Sequence, residues 1–133
     1  MACELFVVPP EQVGIAWADI KRHISRIENA PWDLNDVLHD LMRAKAQAWG
    51  IREDGQVTGV IITRIENTFA HRYGLTWIAA GSGLDAGMPF YREVIEPWLW
   101  DQGCEWIDLC GRKGWKRALP DYEEVTVTLR KYR

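Results

Sequence analysis

Nowhere in this 133-residue chain do about 18 apolar residues run uninterrupted, the least a membrane-spanning helix needs. The N-terminus has no basic stretch leading into an apolar run, so a secretory leader is not expected and the chain is expected to be cytoplasmic when synthesised. Cysteine is scarce. There are three, an odd number without Cys-x-x-Cys spacing, which argues against both a disulfide framework and a thiolate zinc site. Cys104 and Cys110 bracket a short apolar run and read as small buried hydrophobes. Of the three histidines, His23 and His39 lie on predicted helices among charged residues at no ligand spacing, and no metal is expected. No Ser/His/Asp or Cys/His arrangement stands out, and there is no low-complexity tract or fixed-period repeat.

What is present has the proportions of an ordinary globular domain: 47% of residues are hydrophobic and 26% charged, which excludes intrinsic disorder. The length suits one domain over residues 1–133. The net charge of −3 gives the whole molecule no attraction for a polyanion. Residues 111–133 nevertheless carry seven basic side chains against three acidic ones, so one end is basic. Eight tryptophans are many for this length. Trp17, Trp49, Trp77, Trp98 and Trp106 fall on predicted core faces, whereas Trp32, Trp100 and Trp115 are less easily placed. Aromatic side chains beside basic ones suit a protein interface or base stacking on nucleic acid.

The apolar periodicity changes along the chain. Leu5 to Val8 reads as a strand stopped by Pro9 and Pro10. Val13, Trp17, Ile20, Ile24 and Ile27 then step by four, three, four and three, one stripe of a helix that ends before Pro31. Asp33 is a good N-cap for a second helix running to about Lys45. Asp54-Gly55 marks a hairpin between a strand with Trp49 and Ile51 and one with Val57 and Val60 to Ile62; Leu75 to Ala80 is the third strand of the meander. Gly81 to Gly87 is a glycine-rich loop, followed by a helix opened by Pro89 with a stripe of Phe90, Val94, Ile95, Trp98 and Leu99. Pro97 predicts that the helix bends or restarts there. Trp106 to Cys110 is the next strand, Lys113 to Leu119 a short helix, and Glu124 to Lys131 a final strand by its alternation of Val125, Val127 and Leu129 with polar residues.

This order, β-αα-βββ-α-β-α-β, resembles the GNAT superfamily of acyl-CoA N-acyltransferases over nearly the whole chain. The features that carry the resemblance are the paired helices after the first strand, the Asp54-Gly55 hairpin, the glycine-rich connection from Ala80 to Gly87, and the ending from Cys104 to Tyr122. The last of these is also similar to small bacteriophage-encoded GNAT-like proteins. The implied fold is α+β, in three layers, with a mixed, mostly antiparallel central sheet flanked by helices. Family members hold the cofactor pyrophosphate on a Gln/Arg-x-x-Gly-x-Gly/Ala loop, which maps the candidate cofactor residues to Ala80, Gly81, Ser82 and Gly83. Ile78 stands where Gln or Arg would be, and Asp85 brings a negative charge. The family's catalytic tyrosine maps to Arg117, and Tyr122 to an aromatic that packs. Glu66 and His71 are the candidate bases if their turn folds over the cleft.

These departures lead to the expectation of a non-catalytic, phage-type protein working through protein contacts in or around a virion, and virion-associated. Its contact surface would be Trp100, Arg112, Lys113, Trp115, Lys116 and Arg117, facing phage structural proteins or a second copy, with nucleic acid a weaker partner. No cofactor is expected on that reading. The alternative is an N-acetyltransferase with a divergent loop, using acetyl-CoA and working mainly by positioning amine and thioester.

Overall fold

The computed structural model describes residues 2–111 and 114–133. Five strands form one sheet in the order β1-β2-β3-β4-β5: β1 Cys3–Val8, β2 Ala46–Glu53, β3 Gln56–Asn67, β4 Arg72–Ala80 and β5 Ile107–Leu109. The first four are antiparallel neighbours, and β5 joins β4 in parallel. Between β1 and β2 lie α1 Val13–Ile24 and α2 Leu34–Met42. After β4 come α3 Leu84–Phe90, a π-turn at Tyr91–Ile95 and α4 Glu96–Asp101, and α5 Trp115–Ala118 follows β5. The sheet is mixed and helices flank it, as the sequence predicts.

The helices α1 and α2 bury the stripes that their periodicity presents on one face of the sheet, and the run from α3 to α4 covers the other. On one face Val13, Ile20 and Ile24 of α1 and Val37 and Leu41 of α2 pack on Ala48, Val60, Ile62 and Ile78. On the other, Tyr91, Ile95 and Leu99 pack on Trp49, Ile51 and Ile61. Asp33 caps α2 by accepting from the Asn35 amide at 2.7 Å, and Asp36 closes the capping box. The β2–β3 turn places Asp54 at φ 50° and Gly55 at φ 82°, the left-handed pair that a tight hairpin needs. Trp49 is buried, and its indole N–H donates to Thr63 Oγ1 at 3.0 Å; Thr63 in turn donates to Gln47 at 2.9 Å, so no donor in that contact is stranded.

Several expectations need correction. The helix after β4 starts at Leu84, not Pro89, leaving a connection of three residues, Gly81 to Gly83. Its buried stripe is Tyr91, Ile95 and Leu99, with Val94 exposed, because the π-turn inserts a residue and rotates the face. After that turn the run restarts as α4 at Glu96 with Pro97 in its first turn, as a proline inside the run predicts. The strand expected at Glu124 to Lys131 does not form: Val125, Val127 and Leu129 are exposed, and Arg130 ties the segment to the Asn29 carbonyl at 2.9 Å. β5 is only three residues long and would give a further strand few ladder bonds. Trp106 is half exposed, stacked on Tyr73 at 5.0 Å, and Cys110 is exposed.

Candidate functional site

Two β-bulges shape the region where β4 and β5 part. In β3, Ile51 pairs with Gly59 and Arg52 with Val57, so Thr58 is the extra residue. Its carbonyl, turned out of the ladder, accepts from the Gly83 amide at 2.9 Å and anchors the glycine loop. In β4, Ile62 pairs with Ile78 and Thr63 with Thr76, leaving Trp77 bulged. The parallel pairing with β5 runs from Gly74 to Thr76 and closes with the Cys110 amide on the Thr76 carbonyl at 3.3 Å. Beyond Thr76, among the described residues, nothing pairs with β4 on that side, so the backbone edge from Trp77 to Ala80 faces a split in the sheet.

Behind the split lies a small cavity of about 10 Å³, lined by Ile61, Thr76, Ala79, Leu84, Met88, Tyr91, Leu109 and Trp115. It has room for about one water. Two residues of this apolar lining, Thr76 and Tyr91, join their hydroxyls at 2.8 Å. The Tyr91 hydroxyl meets that of Tyr122 at 3.0 Å, and Tyr122 donates to Glu96 Oε2 at 2.5 Å. Arg92 holds Glu96 at 3.1 Å and also pairs with Asp121. Burial pushes the Tyr91 phenol above its ordinary range, and burial with the Glu96 carboxylate does the same for Tyr122, so both stay protonated near neutrality. Asp121 is held below the usual carboxylate range by Arg92.

A larger cavity of about 250 Å³ lies on the α1 side of β1, β2 and β3, among Phe6, Ile15, Ala16, Ile20 and Val60. Its two charged groups already have partners, Arg52 with Glu4 at 3.1 Å and Asp19 with Arg22 at 3.2 Å. Volume favours that cavity, but position favours the smaller one, which lies at a break in the sheet beside a linked set of hydroxyls.

The glycine loop serves packing first. Gly81 has φ +114°, and a Cβ on it would lie 2.2 Å from the Thr58 carbonyl oxygen. A Cβ on Gly83 would lie 2.2 Å from Thr58 Oγ1 and 2.7 Å from Glu53 Oε1. Gly83 cannot offer its amide to a phosphate, since Thr58 holds it. The amides of Gly81 and Ser82 have no hydrogen-bond partner among the described residues. Glu53, accepting from Thr58 Oγ1 at 2.7 Å, and Asp85 in the first turn of α3 place two carboxylates at this loop. Ile78 is buried in the opposite core and cannot reach it.

The other sequence candidates are dispersed. Glu66 pairs with Arg64 at 2.8 Å and His71 with Glu105 at 3.2 Å; Glu66 sits opposite Tyr73, at the end of β4 away from the split. His23 is buried with one ring nitrogen 3.0 Å from the Val57 carbonyl. Of the expected contact surface, Trp115 faces inward over Gly111 and lines the cavity, and Lys116 is bound to the Pro120 and Tyr122 carbonyls. Trp100 and Arg117 are exposed, while Arg112 and Lys113 lie outside the described residues. Among the described residues no group of three or more His, Cys, Asp or Glu side chains is placed to hold a metal, and no helix is long and apolar enough to cross a membrane. Sequence reasoning missed Thr76, Tyr91, Arg92 and Glu96. The available signal was a tyrosine next to the expected apolar stripe, followed by Arg92 and Glu96 at helical spacing.

No family model matches the chain, and no curated protein does. Solved structures do. A GCN5-related N-acetyltransferase from Ralstonia eutropha superimposes with a TM-score of 0.71 at 10% identity, over 98% of this chain and 99% of that one. Glucosamine-6-phosphate N-acetyltransferase from Arabidopsis thaliana gives 0.66 at 13% identity, over 99% of both chains. Aminoglycoside 6'-N-acetyltransferase from Acinetobacter baumannii gives 0.64 at 13% identity, again over 99% of both. Each is an N-acetyltransferase, and this overturns the expectation of a non-catalytic virion protein, which took departures in one loop and one helix as loss of the enzyme. The chain has the GNAT fold.

Proposed function

We propose that this protein is an N-acyltransferase that moves an acetyl group from acetyl-CoA to an amine. The observation that carries the reading is the split beyond Thr76: a strand edge from Trp77 to Ala80 that, among the described residues, pairs with nothing on that side, next to a cavity lined in part by Thr76 and Tyr91. A pantetheine arm is itself an extended chain with two amides, and such an edge supplies the complementary donors and acceptors. The thioester would then lie over Thr76 and Tyr91. The acetyl donor supplies an activated carbonyl; the protein supplies alignment of that carbonyl with the amine, exclusion of water, and polar groups at the reacting atoms.

The fit of the donor is uneven along its length. The arm finds a free edge, whereas its diphosphate finds two free amides, of Gly81 and Ser82, close to the carboxylates of Glu53 and Asp85. Trp115 must also move, because a cavity with room for one water cannot take an acetyl thioester. α5 is a single turn of four residues, and the cost of shifting it is correspondingly small.

The test is thiol release from acetyl-CoA with three amines whose chemistry follows the structurally similar enzymes: an aminoglycoside, glucosamine 6-phosphate, and a peptide with N-terminal alanine. Amine-dependent thiol release with at least one of them is expected. Release no faster than in buffer, with all three at millimolar concentration, would refute the reading.

A further inference from the structure

A line of hydroxyls leads out of the cavity to a carboxylate. Glu96 as an anion can only accept, so the Tyr122 proton is directed to it across 2.5 Å. That leaves the Tyr122 oxygen to accept from Tyr91 at 3.0 Å, and the Tyr91 oxygen to accept from Thr76 at 2.8 Å. Every proton in the line therefore points from Thr76 towards Glu96. A proton arriving on the Tyr91 oxygen displaces each of the next two by one position and ends on the carboxylate. Neither phenol has to ionise for this, which suits tyrosines whose burial holds them protonated.

The charges around the far end are defined. Arg92, from the same helical run, lies 3.1 Å from Glu96 Oε2; Asp121, from the turn after α5, shares that guanidinium at 2.9 Å. Lys116 of α5 adds a cation near Asp121. The π-turn that begins at Tyr91 brings this side chain to the cavity wall, and such turns inside helices frequently accompany functional sites.

Resting on the acyl-transfer reading, we propose that Tyr91 is a catalytic residue that takes the proton of the attacking amine, and that Tyr122 passes it to Glu96, the terminal base. As the C–N bond forms and the C–S bond breaks, an N–H proton moves to the Tyr91 oxygen, the Tyr91 proton to Tyr122, and the Tyr122 proton to Glu96. The thiolate leaves with the electron pair of the C–S bond and takes a proton from water, and Glu96 returns its proton to water. Amine and thioester become amide and thiol with protons balanced.

Glu96→Gln and Tyr122→Phe test this with acetyl-CoA and the best amine of the three. Both should lower kcat by about 10²- to 10⁴-fold and leave KM for acetyl-CoA within a factor of two. Glu96→Gln should also erase the acid limb of the pH profile of kcat/KM, and Tyr122→Phe should turn a curved proton inventory in mixed light and heavy water into a straight line. Glu96→Asp keeps a carboxylate and should keep the acid limb at a lower rate, which separates proton transfer from a structural role. An unchanged acid limb in Glu96→Gln, or an unchanged inventory in Tyr122→Phe, overturns the relay while acyl transfer stands. A wild-type protein that acetylates none of the amines overturns the acyl-transfer reading, and the relay falls with it.

Discussion

Alanine at three glycines separates backbone strain from steric contact and tests the claim that the loop after β4 is built to press against the Thr58 bulge. Gly55 has φ +82° and open space where a Cβ would go, so Gly55→Ala meets conformational cost alone, about 1–2 kcal/mol. Gly83 has φ −85°, which any residue adopts, but its Cβ would meet two side-chain oxygens at 2.2 and 2.7 Å. Those oxygens belong to Thr58 and Glu53, which can rotate, so Gly83→Ala should cost about 1–2 kcal/mol by overpacking. Gly81 combines both faults. Its φ is +114°, and its Cβ would lie 2.2 Å from a backbone oxygen and 2.8 Å from the Gly59 Cα, atoms that cannot move without shifting β3. Adding about 1–3 kcal/mol of strain to a similar steric cost gives a destabilisation of about 2–6 kcal/mol. Urea unfolding followed by tryptophan fluorescence would measure all three, with a constant m-value as the condition for comparing them. If Gly81→Ala proves no more destabilising than Gly55→Ala, the close approach of loop and bulge is wrong, and the split loses the support that holds one of its walls.

Further tests concern the two ends of the cleft and the tyrosines behind it. Asp85→Asn removes a carboxylate beside the free amides and should tighten acetyl-CoA binding by about two- to fivefold at low salt, measured by calorimetry. Trp115→Ala should destabilise the fold by about 2–4 kcal/mol, somewhat less than loss of a fully buried tryptophan, and speed association of acetyl-CoA in stopped-flow fluorescence by opening the cavity. Alkali acts through Tyr91 and Tyr122, whose folded-state pKa values are raised above the ordinary 10.0. Above pH about 10 the unfolded chain releases protons that the folded protein retains, so their contribution is complete below that pH and is lost as pH rises. Thermal midpoints should fall above pH 10 in the wild type and fall less steeply in a Tyr91→Phe, Tyr122→Phe double variant.

How much could be read beforehand depended on whether a feature is periodic. The stripes of α1 and α2, the Asp33 cap and the Asp54-Gly55 turn follow from residue type and local spacing, and all of them appear in the structure. Trp77 and Thr58 are different. A bulge inserts one residue against a partner strand, and only the partner's register reveals it; Gly59 beside Thr58 was the sole local hint. The π-turn had the same effect in the helix, moving burial from Val94 to Tyr91 and so hiding a residue that lines the cavity. Alternation at Val125, Val127 and Leu129 misled in the other direction, because strand propensity has no effect without an edge long enough to pair with. The site was legible only at its glycines, whose spacing is shared by packing and by phosphate binding. Geometry separates the two uses: Thr58 takes the Gly83 amide and leaves those of Gly81 and Ser82.

The most direct test of the acyltransferase account is a crystal structure of the protein soaked with acetyl-CoA. The account predicts the pantetheine arm extended along the Trp77 to Ala80 edge, hydrogen-bonded to β4 backbone, with the thioester beside the Thr76 and Tyr91 hydroxyls and Trp115 displaced. Acetyl-CoA bound elsewhere, with the split still closed by Trp115, would contradict it, as would an empty split after a soak at millimolar concentration.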